Sequence, residues 1–196
     1  MPTNGLVYTG DMKRDAQSTR QRILDAATAE FALYGIAGAR VDRIAAASGS
    51  NKSMIYAYYT SKDQLFDAVF DAIIVRNMHD VPVDAHDLPE YAARLFDQWR
   101  TYPEILRLGT WDWLERGAEG MRIEAVVAAN EHKIDEIRKA QHEGVVSARF
   151  PAATLLELIV AITQTRPGAP DGQADWADSS RRRQAIKDAV SNLIRD

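Results

Sequence analysis

The sequence predicts an all-α protein: a small N-terminal unit of three helices built on a helix-turn-helix, then a larger helical body. Three observations carry this. Apolar residues recur at three and four positions, as in Ile23, Leu24, Ala27, Phe31 and Tyr34, and no segment shows the alternation of a half-buried strand. Two short helical segments flank the tight turn "SGSN", where Gly49 is free to take the positive φ of a sharp reversal. Helix boundaries are signalled by the capping pairs Ser18/Gln21 and Ser61/Gln64, by Asp87 with Glu90, and by Pro89 in a first turn.

Each element follows in order. Residues 1–15 are expected to form a loose arm. "STRQRILDAATAEFALYG" is the first helix, stopped by Gly35. "ARVDRIAAAS" is the second, with Val41, Ile44 and Ala45 inward. "NKSMIYAYY" is the third, with Met54, Ile55 and Tyr59 inward, and "TSKDQLFDAVFDAIIVRNM" is the fourth. Further helices are expected in "LPEYAARLFDQWRTY", "PEILRLGTWDWLERG", "EGMRIEAVVAANEHKIDEIRKAQHEG", "PAATLLELIVAIT" and "RRRQAIKDAVSNLIRD". A loop rich in Pro, Gly and Asp precedes the last. The expected organisation is therefore an arm at 1–15, a helix-turn-helix domain at 16–62 and a helical domain at 63–196.

Composition narrows the function. The 196 residues are 46% apolar and 27% charged, an ordinary globular balance. With no cysteine, disulfides and thiolate metal sites are excluded. The four histidines lack metal-ligand spacing, no Gly-rich phosphate loop stands out, and no catalytic constellation supports an enzyme; no cofactor is expected. No apolar run approaches the roughly 18 residues of a membrane span, and the N-terminus lacks the apolar core of a signal peptide, so a cytoplasmic location with no membrane partner is expected. The net charge of −4 conceals an asymmetry: residues 1–62 hold 8 Lys and Arg against 5 Asp and Glu, whereas 63–196 hold 16 against 23. A basic head on an acidic body suits a chain of which one end meets phosphate.

The helix-turn-helix gives that head its geometry. The second helix of such a unit lies in the major groove while the first crosses the backbone. Lys52 stands at the start of that helix. Tyr56 and Tyr58 offer rings to thymine edges and hydroxyls to phosphate. Lys62 lies in the first turn of the next helix, beside N–H groups that also attract phosphate. Arg40 and Asn51 are supporting candidates.

The run "RILDAATAEFALYGIAGARVDRIAAASGSNKSMIYAYYTSKDQLFDAV" resembles the DNA-binding domain of the TetR family of repressors, through "RILDAA…F…YG", "IAAASG", "IYAYY" and "SKDQL". The resemblance implies DNA contact from Lys52, Ser53, Met54, Tyr56, Tyr58 and Lys62. It also implies a homodimer on a double-stranded operator, with the last two helices pairing with their copies, and a ligand-binding body whose small-molecule effector alters the spacing of the heads. Ser50, Ser53, Tyr59 and Arg40 depart from the usual residues. Arg40 stands where a Ser or Thr cap is common, and the departures bear on which operator is read.

In the body, Trp99, Tyr102, Leu106, Trp111, Leu114, Met121 and Asn130 are pocket candidates, because ligand sites are mostly apolar and aromatic with a few polar groups. A hydrophobic or aromatic ligand is expected; ordinary core packing is the competing role for each residue. Trp111 and Trp113 cannot share a helix face. "LLELIVAIT" is apolar nearly all round and must be covered on several sides. Leu155, Leu158, Ile159 and Ile162, with Ile186, Val190 and Leu193, are the expected dimer interface. The alternative function is a helical sensor or interaction module without operator binding.

Overall fold

The computed structural model describes residues 7–117, 124–164 and 179–195. Residues 1–6 of the expected arm, Met121, Ile123 and the Pro/Gly/Asp-rich stretch at 165–178 lie outside them. Among the described residues the chain forms α1 (Val7–Gly38), α2 (Val41–Ser48), α3 (Lys52–Tyr58), α4 (Lys62–Asp80), α5 (Leu88–Thr101), α6 (Pro103–Arg116), α7 (Glu124–His142), α8 (Ala152–Thr163) and α9 (Ser179–Leu193), with no strand.

The start of α1 departs from expectation. The helix runs from Val7 straight through Ser18, so the residues expected as a loose arm are helical from Val7 and Ser18 is no cap. Its partner in the expected capping box, Gln21, instead donates from Nε2 to Asp25 Oδ1 at 2.8 Å, one turn on. "MKRDAQSTRQ" holds neither Gly nor Pro, and nothing in it stops a helix propagating towards the N-terminus.

The other boundary signals act as read. Gly49 ends α2 at φ 64°, and Ser50 N–H reaches Ala45 O at 3.0 Å, closing the helix end. Asn51 caps α3 by accepting from Met54 N–H at 2.8 Å. Ser61 Oγ accepts from Gln64 N–H at 3.0 Å, and Gln64 Oε1 reaches back to Thr60 N–H at 2.6 Å, one residue beyond the reciprocal partner of a standard box. Asp87 caps α5 through Glu90 N–H at 3.1 Å.

The chain divides into two compact units. One comprises residues up to Ile73 together with the segment from Arg107; the other comprises Ile74–Leu106 with the chain from Glu124. The division falls beyond the boundary expected at residue 62, for a packing reason. Leu65, Phe66 and Val69 of α4 and Leu108 of α6 are all 0% exposed. Phe66 meets the Phe31 ring of α1 edge-on at 5.2 Å. These side chains complete a core that Ile23, Ala27, Ile44, Ile55 and Tyr59 begin, so the head takes α4 as far as Ile73 and α6 from Arg107.

In the second unit α5 packs against α9 and α8, and α8 also packs against α7. Arg183 ties α9 to α5 through Glu90 and Asp97, the latter at 2.8 Å, and Lys187 adds a bond to Glu90 at 2.9 Å. This core corrects the expected interface. Leu155, Ile159, Ile186 and Val190 are 1%, 0%, 4% and 0% exposed within a single protomer. The chain's own helices cover most of the apolar circle of α8, leaving Leu158, Ile162 and Leu193 half-buried at its edge.

Candidate nucleic-acid interface

The short third helix divides its residues sharply. Ile55 and Tyr59 are 1% and 3% exposed and fix α3 to the head core, while Lys52, Ser53, Met54, Tyr56 and Tyr58 are exposed. Met54, expected inward from the periodicity but outward from the family resemblance, stands 39% exposed. A seven-residue helix has too few turns to bury both faces, and Ile55 with Tyr59 already fills the inward one. Lys52 Nζ is held at 2.6 Å from Asp42 Oδ1 of α2, and that hydrogen bond keeps the Asp42 carboxyl below its ordinary value. Tyr58 donates from its hydroxyl to Ala16 O at 3.4 Å, which sets the end of α3 beside α1.

The start of α2 is built differently from a side-chain cap. Arg40 occupies the N-cap with no side-chain cap bond, and its guanidinium projects from an exposed residue. Its backbone N–H is satisfied by Glu30 Oε1 at 2.8 Å, and the same oxygen accepts from Arg43 Nε at 2.7 Å. Burial alone would raise the Glu30 carboxyl, but these donors outweigh it and hold the group below its ordinary value. Arg43 in turn covers the Tyr34 ring at 4.1 Å. Lys62 does not extend freely from α4: its Nζ donates to Ala37 O at 3.0 Å and Ala39 O at 3.2 Å, closing the last turn of α1. Asn51 is likewise committed to its cap. Of the eight residues singled out in the sequence, Arg40, Lys52, Ser53, Met54, Tyr56 and Tyr58 are exposed, and Asn51 and Lys62 are committed to hydrogen bonds within the head.

Two family descriptions match the chain: bacterial regulatory proteins of the tetR family over residues 23–69, and the tetracyclin repressor-like C-terminal domain over residues 87–192. The chain is 38% identical over 190 residues to the HTH-type transcriptional repressor SCO4008 of Streptomyces coelicolor, covering 92% of this chain and 97% of that protein. This chain belongs to the TetR family. It is also 26% identical over 149 residues to the repressor NicS of Pseudomonas putida, covering 72% and 70% of the two chains. The crystal structure of SCO4942 from Streptomyces coelicolor, described as a transcriptional regulator, superposes with a TM-score of 0.77 at 37% identity over 89% of this chain and 97% of that one. The fatty acid degradation regulator FadR of Bacillus halodurans shares the fold, with a TM-score of 0.66 at 16% identity, over 89% and 96% of the chains. This TetR-family chain is thus a DNA-binding transcriptional regulator with a helical C-terminal ligand-binding domain, and not an enzyme.

The TetR-family head holds a feature that reading the sequence missed. At Gly35 the backbone of α1 breaks, with φ 73° and ψ −177°, and two α6 side chains satisfy both sides of the break. Trp111 donates from Nε1 to Ala32 O at 3.3 Å, before it. Glu115 accepts from Ile36 N–H at 3.0 Å and from Ala37 N–H at 2.7 Å, after it. One residue further, Arg116 binds Asp67 at 2.5 Å and Asp63 at 3.3 Å and lies 4.7 Å over the Phe66 ring, joining α6 to α4. The available signal was the spacing: Trp111 and Glu115 are four apart and share one helix face.

The pocket candidates are separated by the division into units. Trp111 serves the α1 break, and Leu114 is 57% exposed, both in the head unit. Trp113 is 65% exposed, as its opposed position to Trp111 requires. Trp99, Tyr102, Leu106 and Asn130 belong to the body and are half-buried. Trp99 donates to Thr163 Oγ1 at 3.0 Å, and the Tyr102 ring lies 4.0 Å from the Arg76 guanidinium.

Proposed function

We propose that this chain represses transcription by binding a palindromic double-stranded operator as a homodimer, and that a small molecule bound in the body releases it. The observation that carries the reading is the division of α3, in which Ile55 and Tyr59 are buried while Lys52, Ser53, Met54, Tyr56 and Tyr58 are presented together with Arg40. Ser53 and Tyr56 are the base-reading candidates, and Arg40, Lys52 and the Tyr58 hydroxyl the phosphate contacts. Asn51 and Lys62 position this surface. The relatives named as repressors support the direction of regulation.

A second copy fits the outer faces of α8 and α9. Thr154 and Ala161, and Ala185 and Ala189, are exposed small residues that permit close helix approach, flanked by Leu158, Ile162 and Leu193. Two heads on one two-fold axis match a palindromic site. The body's half-buried Trp99, Tyr102 and Leu106 favour an effector with an apolar or aromatic portion. A cytoplasmic location is part of this reading, since an operator-binding protein must reach DNA; no described helix is long and apolar enough to cross a membrane.

Selection from random duplex DNA at near-physiological salt tests the reading. Enrichment of a two-fold symmetric site is the expected result. No enrichment by protein shown to be folded and dimeric would sink it in favour of a sensor or interaction module that does not read an operator.

A further inference from the structure

The body unit holds buried polar atoms without a hydrogen-bond partner among the described residues: Tyr91 Oη and Arg94 Nε on α5, and Asn77 Oδ1 on α4. Tyr91 is 0% exposed and sits in the apolar cluster with Leu88, Leu95 and Ile137. Arg94 lies three residues further along α5, on an adjoining part of the same face, and its charge acts on the phenol. Helix geometry offers Arg94 two carboxylates, Glu90 four residues before it and Asp97 three after. Both are taken by α9, through Arg183 and Lys187. Arg94 is thus a half-buried cation with no ion pair among the described residues, on the same helix face as a buried hydroxyl that finds no acceptor among them. An unpaired buried donor costs free energy, and such groups persist where function uses them.

We infer that Tyr91 and Arg94 anchor the anionic end of the effector, which is a small acid carrying a carboxylate on an apolar body. The inference rests on the proposed sensing role of the body and specifies its ligand. The carboxylate would accept from the Tyr91 hydroxyl and the Arg94 Nε–H, and the surrounding cluster would take the apolar portion. Burial pushes the Tyr91 phenol above its ordinary value, so it stays a neutral O–H donor at neutral pH. Lys133, on α7 four residues before the buried Ile137 of the same cluster, is a second half-buried cation with no ion pair among the described residues, and burial pulls its ammonium below the ordinary value.

The test uses the full-length protein and a matched panel: benzoate, phenylacetate and octanoate, each beside its amide and the corresponding amine. Calorimetric titration reads affinity and thermal unfolding reads stability. The acids should bind about ten-fold more tightly than their amides, and Arg94→Met should erase that preference. Tyr91→Phe should weaken acid binding several-fold. Without ligand, both variants should unfold at or above the wild-type temperature, because each removes an unpaired group and not a contact. Acids that bind no better than their amides, or no binding by any acid, would overturn the inference. So would a Tyr91→Phe protein that unfolds several degrees below wild type, which would show that the hydroxyl already has a partner. An amide or amine that displaces the protein from its selected operator where the acids do not would overturn the acid assignment and leave the sensing role standing. Failure of any compound in a broad screen to displace it would remove the sensing role itself.

Discussion

Asp42 holds Lys52 at 2.6 Å, so the cation proposed to contact phosphate is already paired. In the proposed complex a phosphate would displace that carboxylate, which would itself repel the DNA backbone. Asp42→Asn should raise affinity for all sequences alike, by about three-fold, and steepen the dependence on salt, as binding isotherms at several salt concentrations would show. Unchanged affinity would mean that Lys52 does not approach phosphate. Glu30 poses a different question, since it is 8% exposed and joins α1 to the start of α2. Its carboxyl is held below the ordinary 4.5, so its stabilisation is complete above that value and is lost as pH falls through the lower folded one. Glu30→Gln should cost about 2 kcal/mol at neutral pH, and the deficit should shrink below pH 4.5. Thermal unfolding across pH 3 to 7 checks this, and a deficit constant with pH would exclude the ionised bridge.

At the scale of an element, the end of α1 is decided by a break that α6 repairs. Gly35 adopts a conformation open essentially to glycine alone, and a Cβ there would lie 2.3 Å from Glu115 Oε1 and 2.9 Å from the Trp111 ring. Gly35→Ala should therefore destabilise the head by more than about 2 kcal/mol in chemical unfolding. Glu115→Gln loses the charge and leaves one acceptor oxygen for two N–H donors, setting its amide nitrogen against the other N–H, and should cost about 2 kcal/mol. If Glu115→Gln were neutral while Gly35→Ala was severe, the break would be held by backbone conformation alone. Because Trp111 and Glu115 act on α1 while Arg116 acts on α4, the last turns of α6 fix both helices that carry the head core.

For the whole molecule, the charge division has a physical consequence. The basic excess of residues 1–62 includes Arg40, Lys52 and Lys62, while residues 63–196 are acidic, so the electrostatic attraction of the chain to DNA is concentrated in the head. Assembly is the second property at this scale. With Leu155, Ile159, Ile186 and Val190 inside the protomer, the proposed pairing face depends on small residues, and Ala189→Arg on exposed α9 tests it. The variant should keep its unfolding temperature within a few degrees, sediment as a monomer and lose about 100-fold or more in operator affinity. A dimer that survives the substitution would place the interface elsewhere.

The sequence by itself determined the all-α class, the helix-turn-helix and nearly every helix end, because these are local: period, cap and turn chemistry act within a few residues. It also placed Ile55 and Tyr59 on the inward face of α3, but it put Met54 there too, and only the packed head shows that two side chains fill that face. Tertiary structure decided what long-range contact controls. Lys62 was legible as a cation at a helix start, but only the fold brings it to the carbonyls of Ala37 and Ala39. Trp111 was legible as an aromatic in the body, but the fold sets it against α1 and assigns its segment to the head. The apolar circle of α8 announced burial without saying by what, and its own chain supplies most of the cover. Hydrophobicity shows that a surface must leave water; only the packing of distant segments decides which surface it meets.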